Sequence, residues 1–379
     1  MIPLSVPQLA GREWEYVKDC LDTGWVSSVG AYVDRFEKNL AAYVGMERAV
    51  ATSSGTAALH IALLVAGVRP DDEVVVPTLT FIAPVNAIRY VKAWPVFIDA
   101  ETDYAQMDVN AVELFLREKC VRRDDGLRNR ATGRRIAALL PVHVLGHPVD
   151  LDPLVKLGRE FGLPVIEDAT ESLGSLYRGR KTGSCGDISC ISFNGNKIIT
   201  TGGGGMIVTN NAAWADRAKY LTTQAKDDPI EYIHNEIGYN YRLTNLQAAL
   251  GCAQLEQLND FVAARQRIAA RYRTELKSVG GLHILSQAPW AVSNGWLSTV
   301  IVDESVYGES SRQVLQRLQK AGIQVRPLWQ PIHLSLAHRD GVSLPCPVAE
   351  RLYAQALSLP SSSSLTDPEQ GRVLAELIR

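Results

Sequence analysis

The sequence predicts an α/β fold: a sheet with helices on both faces, followed by a smaller C-terminal α+β portion. Three observations predict it. Short apolar runs alternate with helix-length patterns over the first two-thirds of the chain. Several of the runs end in a polar or charged residue, as happens where ligands bind beyond the carboxyl ends of an open sheet. From Asn245 the pattern changes to a long helical stripe and then to a mixed tail.

The runs at 74–77, 95–98, 136–142, 164–166, 188–193 and 206–209 are short and continuously apolar, as strands covered on both faces are. Helical patterns near 57–66, 82–91, 110–119, 151–161 and 214–221 separate them. Asp99, Asp168 and Asn194 close three of the runs. Past Asn245, the residues Leu246, Ala249, Leu250, Ala253, Leu255, Leu258 and Phe261 recur at helical spacing. They predict a helix packed on the body of the protein or on a subunit partner. Residues 297–302 and 323–326 read as strands, 313–321 as a helix and 348–357 as the last helix. The expected division is a large domain over 1–245 and a small one over 246–379.

Composition narrows the function classes. The chain has 379 residues, 46% of them hydrophobic, enough to bury a core without disulfides or a structural metal. A formal net charge of -2 gives no reason to expect nucleic acid or an anionic membrane as a partner. No apolar stretch approaches the roughly 20 residues of a membrane span. Met1-Ile2-Pro3-Leu4-Ser5 is not a basic region leading into an apolar core, so no signal peptide is expected. Six scattered cysteines without a Cys-x-x-Cys pair suggest reduced thiols and a cytoplasmic protein. His143 and His147 flank Gly146 and precede Pro148, and the other histidines are dispersed. That spacing predicts no metal.

Four segments can carry chemistry. Thr52-Ser53-Ser54-Gly55-Thr56-Ala57 joins a strand to a helix, and a helix start favours an anion. Gly55, Thr56 and Ala57 read as a phosphate cup, or else Ser53 or Ser54 is an ordinary N-cap. Asp168, in Val-Ile-Glu-Asp at a strand mouth, can hold a proton on a pyridine nitrogen, or cap a helix, or join an ion pair. Lys197 follows an apolar strand and precedes a tight turn of four glycines, Gly202 to Gly205. Partial desolvation there favours the neutral amine that a Schiff base needs, whereas most lysines are surface residues. The hydroxyl of Ser192, five residues back, can reach the same phosphate. Gly238-Tyr239-Asn240-Tyr241-Arg242-Leu243-Thr244-Asn245 offers Asn240 to a phosphate and Arg242 to an acid, or is a polar loop with Thr244 as N-cap. The glycine run is neither a Walker A motif nor a dinucleotide fingerprint.

Together and in this order, the four segments resemble the DegT/DnrJ/EryC1/StrS family of sugar aminotransferases. The most specific part is Ser192-Phe193-Asn194-Gly195-Asn196-Lys197 followed by Thr-Thr and the four glycines. Ser54–Ala57, Glu167-Asp168-Ala169 and Gly238–Asn245 support it. So do Ile2–Pro7, Gly24-Trp25-Val26-Ser27-Ser28-Val29-Gly30 and Phe36-Glu37, a stretch that looks most like the LegC-type branch.

The resemblance implies a fold-type-I, aspartate aminotransferase-like architecture with a mixed, mostly parallel seven-stranded sheet. It implies pyridoxal 5'-phosphate as cofactor, with pyridoxamine 5'-phosphate as intermediate. Lys197 would carry the cofactor and shuttle a proton. Asp168 would pair with the pyridine nitrogen, with Glu171 near the ring hydroxyl and Phe81 on the ring face. Thr56, Ala57 and Ser192, beside Gly55, would hold the phosphate, and Asn240 would reach it from a neighbouring subunit of a homodimer with composite sites. His333 and Arg326, in Arg326-Pro327-Leu328-Trp329-Gln330-Pro331-Ile332-His333, and Trp25 and Ser27 would contact the sugar nucleotide. Many relatives have Gln or His where Glu171 stands, and Gly204-Gly205 replaces the usual Glu-Gly.

The implied reaction transfers an amino group from L-glutamate, leaving 2-oxoglutarate, to C4 of a nucleotide-linked 4-keto-6-deoxy sugar. The substrate suggested is UDP-2-acetamido-4-keto-2,4,6-trideoxyglucose. The alternatives are a GDP-perosamine-type or dTDP-3-amino-sugar aminotransferase and, more distantly, a non-catalytic regulatory paralogue.

Overall fold

The computed structural model describes residues 1–228 and 230–378. Its centre is a seven-stranded sheet: β1 (Arg48–Thr52), β2 (Glu73–Pro77), β3 (Trp94–Ile98), β4 (Ile136–Leu139), β5 (Ile166–Asp168), β6 (Ile188–Ser192) and β7 (Gly205–Thr209). The strand order is β1-β7-β6-β5-β4-β2-β3. β4 and β5 are joined through the parallel bridges Leu139–Val165 and Val142–Asp168. Only β7 runs antiparallel to its neighbours, so the sheet is mixed and mostly parallel, as expected. A two-residue strand, Val342–Ser343, extends it beyond β3.

The apolar character of these strands follows from burial on both faces. Val74, Val76 and Phe97 belong to one core with the helix that follows β1, and Val75, Val96 and Ile98 belong to another. Two N-terminal helices, α1 (Glu13–Thr23) and α2 (Ala31–Val44), end on Gly24 and Gly45 in left-handed conformation, the ordinary helix stop. Helix α3 (Gly55–Val65) follows β1 directly.

The expected stripe from Asn245 is two helices. α4 (Asn245–Glu256) opens on a capping box made by Thr244 and Gln247, and α5 (Leu258–Leu276) continues it after Gln257. Helix α4 packs on α1 and α2. Leu258, Phe261 and Val262 at the start of α5 share that core, whereas Ile268, Tyr272 and Leu276 belong to the C-terminal one. On this packing we place the division between the two portions within α5, downstream of the expected residue 245.

The C-terminal portion is a four-stranded antiparallel sheet: β8 (Leu282–Ile284), β9 (Ser298–Val302), β10 (Arg326–Pro327) and β11 (Ala356–Leu359), in the order β8-β9-β11-β10. Three expectations are corrected here. The strand expected at 323–326 is mostly an extended approach to β10, with Ile323 bridged to Ile2 of the N-terminus. The helix expected at 348–357 is Pro347–Gln355, and its last expected residues start β11 instead. It is also not the last helix, since Asp367–Leu377 follows and buries Val373, Leu374 and Leu377. All six cysteines are free. Among the described residues no helix is long and apolar enough to cross a membrane.

Candidate active site

The carboxyl ends of the parallel strands converge on a cavity of about 220 Å³. Four of the strands, or the turns after them, deliver residues to it. The turn after β1 brings Ser54, Gly55 and Thr56; the loop after β2 brings Thr80 and Phe81; β5 brings Asp168; β6 brings Ser192; and the loop after β6 brings Asn194 and Lys197.

The helix start is tightly built. Ser54 caps α3, its hydroxyl accepting from the Ala57 N–H at 3.0 Å. The cap takes that amide, and Ala57 does not line the cavity, whereas Gly55 and Thr56 do. Ser54 is thus the N-cap that one reading of this segment expects, and the same helix start faces the cavity. A Cβ on Gly55 would lie 2.8 Å from the Ser192 Cβ, and one on Gly205 would lie 2.5 Å from the Ser54 carbonyl carbon. Glycine at these positions is what lets the helix start, β6 and β7 close on one another.

Two carboxyl groups are buried beside it. Asp168 sits between β4 and β6, and its Oδ1 accepts from the Thr170 N–H at 3.1 Å. Burial pushes its carboxyl above the ordinary value, while the Thr170 hydrogen bonds and the Lys197 charge pull the other way. Glu171 accepts from the Leu145 N–H at 2.8 Å, and its Oε1 lies 3.6 Å from Lys197 Nζ. Burial pushes Glu171 up to about 7, against the opposing pull of Lys197. Such groups are stable in ionised form only when a cation or donors face them.

The Lys197 side chain is only 12% exposed. Its Nζ stands 4.5 Å from the centroid of the Trp296 ring, a cation–π distance. The indole N–H donates to the Asn196 carbonyl at 2.8 Å, so Trp296 also fixes the loop that carries the lysine. Nothing in the local sequence marks Trp296, because the contact spans 99 positions of chain. Thr80 was likewise unread. It is buried in the cavity wall, and its hydroxyl has no hydrogen-bond partner. Phe81 is 51% exposed over the cavity, its ring edge-on to Trp329 at 6.4 Å.

Asn240, Trp25, Ser27, His333 and Arg326 do not line this cavity. Asn240 is exposed and bridged to Thr223. Trp25 and Ser27 are exposed, and both are anchored through their carbonyls. Asn245 donates to them, Nδ2 to Trp25 at 2.7 Å and the backbone N–H to Ser27 at 2.5 Å. His333 Nδ1 lies 2.7 Å from the Thr78 hydroxyl and its Nε2 3.2 Å from Glu350. Arg326 is exposed at the sheet edge. Asp99, another polar strand end, is not at the cavity. Its carboxylate accepts from the Val348 and Ala349 N–H groups at 3.0 and 2.9 Å and caps the helix there.

A lysine and two buried carboxyls beside a helix start, beyond the carboxyl ends of a mostly parallel sheet, define a fold-type-I enzyme. Residues 7–378 match the DegT/DnrJ/EryC1/StrS aminotransferase family, and the chain belongs to it. It is 40% identical over 385 residues to EpsN of Bacillus subtilis (strain 168), covering 100% of this chain and 95% of that one. It is 38% identical over 380 residues to the GDP-perosamine synthase of Caulobacter vibrioides, covering 99% and 97%. The solved structure of S. venezuelae DesV in complex with a ketimine intermediate is similar with a TM-score of 0.86 and 31% identity, over 97% of this chain and 93% of that one.

Proposed function

We infer that the chain is a pyridoxal-phosphate-dependent aminotransferase that moves an amino group from L-glutamate to a keto carbon of a nucleotide-linked sugar. The observation that carries this reading is the half-buried Lys197 in one cavity with Asp168, Ser192 and the start of α3. The residues fit the cofactor on three counts. A helix start with Gly55 and Thr56 faces the cavity beside the Ser192 side chain, as a phosphate requires. Asp168 is a buried carboxyl short of a cationic partner, as a pyridinium requires. The Lys197 amine is shielded from bulk water.

When bound, the cofactor supplies an electron sink for the α-carbon of the amino acid. The Asp168 carboxylate would keep the ring nitrogen protonated, and Glu171 would lie near the ring hydroxyl. The amides of Gly55 and Thr56 and the Ser192 hydroxyl hold the phosphate, with Ala57 at the same helix start. Phe81, exposed over the cavity, would cover a ring face. The Lys197 amine, once free, would serve as the general base that takes a proton from the substrate carbon and as the general acid that gives it back. Trp296 holds that amine in place.

The enzyme works as a homodimer with composite sites. Asn240, exposed and outside the lining of its own cavity, would reach the partner's phosphate. Trp25, Ser27, His333 and Arg326 contact the sugar nucleotide. The acceptor is a 4-keto-6-deoxy sugar, aminated at C4. UDP-2-acetamido-4-keto-2,4,6-trideoxyglucose is one candidate. Likeness to a GDP-perosamine synthase supports a GDP-linked 4-keto-6-deoxyhexose comparably.

The test is a panel of UDP-, GDP- and dTDP-linked keto sugars with glutamate as donor, with 2-oxoglutarate release and the amino-sugar product measured. One nucleotide series should turn over well above the others. Release of no 2-oxoglutarate with any keto sugar would sink the reading.

A further inference from the structure

A second cavity lies between the turn after β4, α5 and the C-terminal sheet. Its volume is about 250 Å³, and it shares no lining residue with the catalytic one. Its wall comes from the turn at residues 144–147, from Gln266, Ala269 and Arg273 of α5, and from the stretch around residues 284–299.

The chemistry of the wall is one-sided. It contains no aspartate or glutamate, and it does contain Arg273. The guanidinium of Arg273 makes no ion pair or hydrogen bond among the described residues. Ser298, also in the wall, is 5% exposed, yet its hydroxyl has no hydrogen-bond partner. A buried hydroxyl without a partner is uncommon and costly. His147 is held neutral, since burial drives its pKa down to about 4. Its Nε2 accepts from the Ala288 N–H at 3.0 Å, and its Nδ1 lies 2.8 Å from the Pro148 carbonyl. Leu145, Ile284, Leu285, Val292 and Leu297 supply the apolar part of the surface, beside uncharged polar side chains such as Gln106, Gln266 and Gln287. The volume lies under the roughly 300–1,000 Å³ of drug-sized ligand sites.

The cavity is also wired to the catalytic one. Residues 293–297 face alternately into the second cavity and towards the catalytic one, the chain turning through Gly295 at φ 67. Ser293, Gly295 and Leu297 line the second cavity. Asn294 and Trp296 turn the other way. Asn294 Nδ2 donates to the Glu171 carbonyl at 2.9 Å, and the Trp296 ring lies 4.5 Å from Lys197 Nζ. On the opposite wall Leu145, at φ 61, lines the cavity while its N–H holds the Glu171 carboxylate at 2.8 Å.

We propose that this cavity is a second binding site, taking a small organic monoanion with an apolar body, and that its occupancy is felt at Lys197 and Glu171. Arg273 meets the negative charge, Ser298 gains the partner it lacks, and the aliphatic wall covers the body. A ligand that moves the 293–297 segment or the 144–147 turn necessarily shifts what faces the catalytic lysine. The site does not depend on the assignment of cofactor or sugar.

Benzoate, with neutral benzamide as control, is the probe, titrated calorimetrically into the holoenzyme. Benzoate should bind with Kd below about 1 mM, and benzamide about tenfold more weakly. Arg273→Gln should weaken benzoate binding about tenfold or more, and Ser298→Ala about threefold, with turnover in the absence of benzoate unchanged. Benzoate should also shift the visible band and the KM for glutamate in the wild type but not in Arg273→Gln. Absence of binding, or equal binding by wild type and Arg273→Gln, would overturn the site. Binding through Arg273 with band and KM unmoved would overturn the coupling. The calorimetry needs no turnover, so its failure leaves the aminotransferase reading intact.

Discussion

At the scale of single residues, burial raises both buried carboxyls, and Glu171 is the more readily tested. Its folded-state pKa of about 7 exceeds the ordinary 4.5, so the folded protein holds this proton where the unfolded chain has lost it. Stability of the cofactor-free protein should therefore fall as pH rises from about 4.5 through about 7. With each pKa unit equivalent to about 1.4 kcal/mol, the effect is on the order of 3 kcal/mol. Urea midpoints at pH 5 and pH 8 check it: the wild type should lose more across that interval than Glu171→Gln. Parallel losses would contradict the assignment. Asp168→Asn keeps the shape of its site but removes the charge that holds a ring proton. It should lower turnover on the order of 100-fold while the protein still folds. Activity within a factor of about three of wild type would remove Asp168 from the mechanism. Asp168 was legible in sequence because it ends a strand, and Lys197 because it follows one closely, whereas Glu171 was singled out only through family resemblance. Trp296 and Thr80 were not, because their relation to the lysine and the cavity exists only after the chain has folded back.

At the scale of elements, the turn from β1 into α3 has the narrowest tolerance. Gly55→Ala places a methyl group 2.8 Å from Ser192 Cβ and must push the helix start off β6. We expect a stability loss of about 1–3 kcal/mol and cofactor affinity at least about tenfold weaker. Ser54→Ala removes a cap and should cost about 1 kcal/mol while leaving the Ala57 amide free. Thermal melts and cofactor titration separate the two variants; equal behaviour would mean that the close approach has no role. The main sheet was readable because its strands are covered on both faces, so their apolar runs stand out. The C-terminal sheet was less so. Its edge strand β10 has only two residues, and Ala356–Leu359 continues straight from a helix without a turn signal. The helical stripe from Asn245 gave no sign of its interruption at Gln257, because apolar spacing runs through it.

At the scale of the whole molecule, large apolar side chains stay on the surface. Ile230 and Ile237 are each 82% exposed in the stretch that leads to Asn240, and Trp25 is 57% exposed. Exposed apolar groups so placed suit a partner subunit, and family resemblance implies a homodimer. The protein should sediment as a dimer. Ile237→Asp should shift it toward monomer and lower activity in proportion, as composite sites require. A fully active monomer would exclude them. This level was least readable in sequence, since an exposed isoleucine and a buried one look alike in a pattern.

The central claim is that Lys197 carries the cofactor. Purified protein given pyridoxal phosphate should show a visible absorbance band. Borohydride should bleach it and leave the cofactor's mass on the peptide containing Lys197. In Lys197→Ala both the band and the label should vanish. A band and label that survive in Lys197→Ala, or a label on another lysine, would contradict the account.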